Sequence, residues 1–177
     1  MKAKTTYVTK LSRRSKGRTD YRKRLRLLKS RLPRLVIRKT NRRIIAQVFE
    51  FSEKGDKLLC QVDSMALRKF GWPALLNTPT AYLTGLYLSK VCKVKKCVPD
   101  IKSTPSKGAI MFAALKGAHD GGMDVPYGES KVIEERIRGE HIAKGPEIPY
   151  YKKEGIDQSK LPELFDMVKS KIGEKNG

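Results

Sequence analysis

The sequence of 177 residues predicts an α+β fold, in which an antiparallel sheet comes first and helices then cover it. Val, Ile and Phe are frequent in residues 34–63, whereas helical periodicity dominates from residue 77 onward. Positive charge is concentrated before residue 44, which adds a basic N-terminal arm. The predicted organisation is a basic arm, a globular domain and a C-terminal extension with a terminal helix, over residues 1–18, 19–143 and 144–177.

The charge distribution indicates the kind of partner. The chain has 39 Lys and Arg against 18 Asp and Glu, a formal net charge of +21. Residues 1–43 hold 18 of these bases and one acid, Asp20, so most of the excess lies there. Repulsion among these positive charges opposes folding. Their concentration in one segment therefore indicates a polyanionic partner, most commonly nucleic acid. A solvated tail and a mitochondrial transit peptide are weaker interpretations, because the basic pattern continues into a predicted strand at Arg34–Lys39.

The N-terminal arm has few apolar residues. We therefore expect residues 1–18 to be disordered on their own. A short helix is predicted over Tyr21–Ser30, with Thr19 or Asp20 as its N-cap and Leu25 on its apolar side.

Three strands follow, and their short connections predict an antiparallel meander. They are predicted over Arg34–Thr40, Arg43–Phe51 and Lys57–Asp63. Asn41 suits the turn between the first two strands. A further short strand is predicted over Cys97–Ile101, and Pro99 places it at a sheet edge because proline cannot donate to a ladder.

Helical periodicity begins at Asn77 or Thr78, which can cap a helix with Pro79 in its first turn. Its apolar residues fall on one stripe, formed by Leu83, Leu86, Tyr87 and Val91. Three further helices are predicted over Ala109–Asp120, Ser130–Ala143 and Leu161–Ile172. A loop is predicted over Gly145–Asp157, since it contains Pro146 and Pro149.

The cysteines and apolar runs bear on the compartment. Cys60, Cys92 and Cys97 are an odd number with no close pair, which argues against a disulfide framework and favours a reducing compartment. Apolar runs of only a few residues predict neither a membrane span nor a signal peptide.

Catalytic and metal-binding motifs are absent from the sequence. The cysteines and the two histidines, His119 and His141, lack the spacing of a zinc site, so we expect no metal. The sequence has no Walker, dinucleotide-binding or nucleophile-elbow motif. We therefore expect no cofactor, no small-molecule substrate and no enzymatic activity.

One loop could attract an anion. Residues 104–108, Thr-Pro-Ser-Lys-Gly, lie between a predicted strand and a predicted helix, where exposed backbone N–H groups favour phosphate. A simple capped loop explains the same residues equally well.

The residue types before residue 48 suit RNA. Asn41 and Gln47 could reach base edges, and Tyr21 could stack on a base. DNA is a weaker candidate, because the sequence has no helix-turn-helix, zinc finger or heptad run. A backbone of phosphates could be followed by the arm residues Arg13, Arg14, Lys16 and Arg18.

Several strings resemble one family. Gly-Arg-Thr-Asp-Tyr-Arg-Lys-Arg-Leu-Arg-Leu-Leu-Lys-Ser over residues 17–30 and Pro-Arg-Leu-Val-Ile-Arg-Lys-Thr-Asn-Arg-Arg-Ile-Ile-Ala-Gln over 33–47 resemble the 5S-rRNA-binding protein of the large ribosomal subunit. This family is numbered eighteen in bacteria and archaea and five in eukaryotes. The resemblance, of archaeal type in its C-terminal extension, continues at residues 55–58, 69–72, 77–86, 111–118 and 136–143.

The resemblance implies a structural, non-catalytic role in translation in the cytoplasmic large ribosomal subunit. The implied partners are 5S rRNA, 23S rRNA and proteins of the central protuberance, including the one numbered five in bacteria, with no membrane. Where archaeal relatives typically have a strand ending Leu-Asp-Ile-Gly and then a longer loop, this chain reads Val98-Pro99-Asp100-Ile101-Lys102.

The predicted RNA contacts comprise the arm, the first strand and its turn, the loop before residue 109 and a basic stretch near residue 138. They are Arg13, Arg14, Lys16, Arg18, Thr19, Tyr21, Arg22, Arg24, Arg26, Arg34, Arg38, Lys39, Thr40, Asn41, Arg42, Arg43, Gln47, Ser106, Lys107, Gly108, Arg136, Arg138 and His141. An RNA-modifying enzyme and a DNA-compacting protein are the alternatives.

Overall fold

A computed structural model of the protein describes residues 9–101 and 109–174. The chain divides into two compact units, Met1–Arg31 and Leu32–Gly177. The architecture is α+β, with a four-stranded open sheet and several helices, as predicted.

The first unit contains two short helices, α1 (Ser12–Ser15) and α2 (Tyr21–Leu28). The Asp20 carboxylate caps α2 by accepting the backbone N–H groups of Arg22 and Lys23 at 3.0 and 3.1 Å. These bonds, chiefly the one from Lys23, lower the pKa of Asp20 because they stabilise its ionised form.

Three details of this unit differ from prediction. Residues 12–15 form a helical turn instead of disordered chain, whereas residues 1–8 lie outside the described part. Helix α2 ends at Leu28, since Arg31 takes a left-handed conformation with φ 56°. Leu25 is 61% exposed, so the predicted apolar side of α2 is not buried.

The second unit is built on a sheet with strand order β3-β2-β1-β4. The strands are β1 (Arg34–Lys39), β2 (Ile44–Glu50), β3 (Lys57–Asp63) and β4 (Val98–Ile101). β1, β2 and β3 pair antiparallel, which confirms the meander. β4 pairs parallel to β1 at the edge, where Pro99 can be accommodated.

The two faces of the sheet differ. On the covered face, Leu35 and Ile37 lie opposite Val48 and Ala46 in the register, and all four side chains are buried. We call the other side the open face. It carries Arg34, Val36, Arg38, Ile45, Gln47, Phe49, Leu58, Gln61, Asp63, Val98 and Asp100.

Helices cover one side of the sheet. They are α3 (Thr78–Val91), α4 (Ile110–Asp120), α5 (Glu134–Arg138), α6 (Glu140–Ala143), α7 (Pro149–Lys153) and α8 (Leu161–Glu174). α3 contacts the sheet and also α4, α5 and α8, so it is buried around most of its circumference. The prediction of one apolar stripe was therefore too narrow, and Val91, placed on that stripe, is 48% exposed.

Two glycines bring α3 and α4 into direct backbone contact. A Cβ atom added at Gly85 would lie 2.0 Å from the carbonyl oxygen of Ala114. A Cβ atom added at Gly117 would lie 2.0 Å from the carbonyl oxygen of Tyr82. Only glycine permits so close an approach.

The C-terminal extension completes the core. Phe165 of α8 is buried against Trp72 and Tyr82, with ring centroids 6.1 and 5.5 Å apart. Asn77 caps α3 by accepting the Thr80 backbone N–H at 2.9 Å, and its amide donates to the Tyr151 hydroxyl at 2.9 Å. The last third of the chain therefore stabilises the beginning of the central helix.

Two predictions for this region were wrong. The single helix predicted over Ser130–Ala143 is divided into α5 and α6 at Gly139, whose φ of 83° ends a helix. The loop predicted over Gly145–Asp157 contains α7. Pro149 occupies its first turn, where the missing N–H breaks no helical bond.

Candidate RNA interface

The first unit presents most of its positive side chains to solvent. Arg13, Arg14, Lys16 and Arg18 are all exposed, as are Arg22 and Arg26 of α2. The Nε of Arg13 donates to the Thr19 hydroxyl at 3.0 Å, so Thr19 orients an arginine. Tyr21 and Arg24 are partly buried.

Thr40 closes the turn between β1 and β2. Its backbone N–H donates to the Arg43 carbonyl at 2.9 Å, and its hydroxyl oxygen accepts the Arg43 N–H, also at 2.9 Å. The result is an exposed turn that presents Asn41, Arg42 and Arg43, together with Arg38 and Lys39 at the end of β1. Asn41 is predicted to suit this turn and Thr40 to contact RNA, but the hydrogen bonds between Thr40 and Arg43 make Thr40 the residue that shapes the turn.

The open face continues the surface beyond this turn. Gln47 is partly buried, and its amide donates to the Gln61 side-chain oxygen at 2.5 Å. Arg43 lies 3.3 Å from Asp63, with 54% of its side chain exposed. Gln61 and Arg43 are exposed on the uncovered side of the sheet, whereas the side-chain oxygen of Gln47 is buried there.

Arg34 has a different environment from the other predicted contacts. It is 5% exposed and forms ion pairs with Asp56 at 2.5 Å and Asp100 at 2.9 Å. These carboxylates join the β2–β3 connection and β4 to the first residue of β1. We therefore leave Arg34 out of the interface. Sequence reasoning missed this role because the two acids lie 22 and 66 residues away along the chain.

Replacing Arg34 is expected to destabilise the protein. Arg34→Met removes the partner of two carboxylates that are only 18% and 25% exposed, so it should lower the free energy of unfolding by about 3 kcal/mol. Urea denaturation followed by circular dichroism measures this change. Arg43→Met is the matched control, because its exposed pair should cost less than about 1 kcal/mol. Equal losses in the two variants would contradict a structural role for Arg34.

In the basic stretch at α5 and α6, Arg138 is paired with protein carboxylates. Arg138 donates to Asp166 at 2.7 Å, and Arg136 is exposed. Burial, and then the charge of Arg136, lower the pKa of His141 below its usual value near 6.5. This shift favours the neutral form of His141.

The remaining predicted contacts, Ser106, Lys107 and Gly108, lie outside the described residues.

The cysteines are packing residues of the core. Burial raises the pKa of Cys60 to about 11 and that of Cys97 to about 12, so both thiols stay protonated at neutral pH.

In residues 9–101 and 109–174, no group of three potential ligands is placed to hold a metal ion. Within the same described part of the chain, no helix has the length and apolarity needed to cross a bilayer.

An α+β fold that exposes arginines along an N-terminal arm and at a strand turn is typical of basic proteins associated with nucleic acids. Comparison with known proteins identifies the family within this class. Residues 5–104 match the model of the family described as "Ribosomal large subunit proteins 60S L5, and 50S L18". The large ribosomal subunit protein uL18 of Korarchaeum cryptofilum (strain OPF8) is 44% identical over 184 residues, which cover 94% of each chain.

The chain therefore belongs to the uL18 family of large ribosomal subunit proteins. Its role is that of a structural constituent of the large ribosomal subunit in the cytoplasm. The resemblance noted from the sequence strings is confirmed at the level of the family.

Proposed function

We propose that this protein binds 5S rRNA and helps to attach it to 23S rRNA in the central protuberance, beside the large-subunit protein numbered five in bacteria. The observation that carries the proposal is the set of exposed arginines in the arm and in the β1–β2 turn. The family membership of the chain supports an rRNA partner.

The division of labour follows from the chemistry of these residues. Arginine and lysine side chains of the arm neutralise phosphates and position the protein, but carry no sequence information. Asn41 at the turn and Gln61, the exposed partner of Gln47 on the open face, can accept or donate hydrogen bonds to bases, so they supply selectivity. The role is structural, with no chemical step.

Competition binding at about 0.15 M salt tests this proposal, since generic electrostatic attraction is weakened there. Labelled 5S rRNA bound to the full chain is challenged with unlabelled 5S rRNA, unrelated structured RNA and duplex DNA. Effective competition by 5S rRNA alone is expected. Equal competition by all three would show a generic polyanion binder, and any altered RNA product after incubation would contradict the non-catalytic role.

A further inference from the structure

An exposed apolar cluster lies at the end of the β2–β3 hairpin. In the described part of the chain seven large apolar side chains are exposed, and three of them, Phe51, Leu58 and Leu59, lie close together in sequence. Phe49, which is partly buried, pairs with Leu58 in the register of the open face. We call these four residues the hairpin cluster. Single exposed apolar residues are ordinary on a protein surface, whereas a group that lies together is typical of an interaction site.

The local backbone explains why these side chains are not covered by the fold. Val48 pairs with Cys60 and Phe49 pairs with Leu58, so Leu59 is the extra residue of a bulge in β3. A bulge interrupts the regular alternation of a strand and redirects a side chain. β3 is also one edge of the sheet in the order β3-β2-β1-β4. Packing in the core therefore does not account for the hairpin cluster.

The charge around the hairpin cluster is opposite in sign to that of the whole chain. Residues 44–63 contain four acids and two lysines, a net charge of −2, although the chain carries +21. Glu50 and Glu53 are both exposed, and Glu50 directly precedes Phe51. These carboxylates repel phosphate groups and attract lysine or arginine side chains. The surface is therefore better suited to a cationic protein than to RNA.

The hairpin cluster and the β1–β2 turn lie at opposite ends of β2. The turn precedes Ile44, whereas the cluster begins at Phe49 and continues past Glu50, the last residue of the strand. A strand of this length spans about 20 Å. Screening at physiological salt acts over about 8 Å. The exposed arginines of the turn therefore do not cancel the negative charge beside the cluster.

We propose that the hairpin cluster binds a positively charged segment of another protein of the large ribosomal subunit. Apolar side chains of that segment cover Phe51, Leu58 and Leu59, and its lysines or arginines lie beside Glu50 and Glu53. Protein interfaces combine an apolar centre with a polar rim of complementary charge in this way. A protein of the same particle is favoured because the chain is a constituent of the large subunit. The predicted RNA contacts do not include these residues.

Cross-linking in the intact particle tests which kind of molecule covers the hairpin cluster. Phe51 is replaced by a phenylalanine analogue that carries a photoreactive diazirine, and the full-length protein is incorporated into large ribosomal subunits. The matched control carries the same analogue at Leu25, which is 61% exposed among the arginines of α2. Irradiated subunits are digested with ribonuclease or with protease, and the adducts are identified by mass spectrometry.

We expect the Phe51 adduct to resist ribonuclease and to contain a peptide of another protein that has more lysine and arginine than aspartate and glutamate. The Leu25 adduct should contain RNA. An RNA adduct at Phe51, a cross-link within the chain, an acidic peptide or the absence of any Phe51 adduct would overturn the inference. Failure of the proposed function is seen separately, as a Leu25 adduct without 5S rRNA.

The contribution of charge is measured with the protein identified in the Phe51 adduct. Glu50→Lys combined with Glu53→Lys reverses the charge beside the cluster, and Glu163→Lys combined with Glu174→Lys makes the same change on the exposed side of α8. Titrations at about 0.15 M salt should show at least about a tenfold loss of affinity for the hairpin variant and a change within about twofold for the α8 variant. Equal affinities of the two variants would contradict a cationic segment beside the hairpin cluster.

Discussion

Gly85→Ala and Gly117→Ala are each expected to lower the free energy of unfolding by about 3 kcal/mol or more. In both cases the new methyl group would meet a backbone carbonyl oxygen of the partner helix at 2.0 Å. A backbone atom cannot rotate away as a side chain can, so α3 and α4 would have to separate. That separation would disturb the covered face of the sheet as well, because α3 also contacts β2 and β3.

Urea denaturation measures this effect, and the single tryptophan offers a convenient probe. Trp72 is 1% exposed and packs against Phe165, so its fluorescence follows the core. Gly173→Ala in α8 is the matched control, because a Cβ atom there meets nothing within 4 Å. It should stabilise the helix by roughly 0.5–1 kcal/mol. If Gly117→Ala behaved like Gly173→Ala, the close contact between α3 and α4 would be disproved.

Arg38→Glu combined with Arg43→Glu is expected to weaken 5S rRNA binding on the order of 100-fold at about 0.15 M salt. The pair removes two positive charges from the β1–β2 turn and adds two negative ones. Both arginines are exposed, so the fold should remain intact. Filter binding over a range of salt concentrations gives both the affinity and its salt dependence.

A control with the same change in net charge separates the turn from the overall charge. Lys153→Glu combined with Lys171→Glu alters exposed residues of α7 and α8 by the same four charge units. Its effect on 5S rRNA affinity should be several times smaller, since screening weakens distant charges. Unchanged binding by the turn variant would show that the β1–β2 turn is not part of the interface. Equal losses in both variants would show that net charge alone causes the effect.

The sheet was predictable because its determinants are local. Short connections and β-rich runs indicated the meander, and Pro99 placed the last strand at an edge. The helices were predictable where a cap or an apolar stripe defines them: Asn77 marks the start of α3, and one stripe marks α8. Prediction failed between residues 130 and 157, where Gly139 and Pro149 had to be interpreted as the end and the start of separate helices.

Part of the interface was likewise predictable from the sequence, and part was not. Charge composition identified the exposed arginines of the arm and the turn, since solvated charged residues need no partner to be recognised. Charge composition could not distinguish the buried, paired Arg34 from the exposed arginines, because its carboxylate partners come from distant parts of the chain.

The bond between Asn77 and Tyr151, together with the packing of Phe165 on Trp72, has a consequence for biosynthesis. Asn77, the cap of the central helix, and Trp72, which precedes it, acquire these partners only after the ribosome has translated a further 74 and 93 codons, respectively. At about 5–20 residues per second, the nascent chain therefore exposes an apolar helix surface for several seconds. Chaperone dependence of newly made protein should consequently rise when stop codons are placed before residue 161, even though such fragments retain every strand of the sheet.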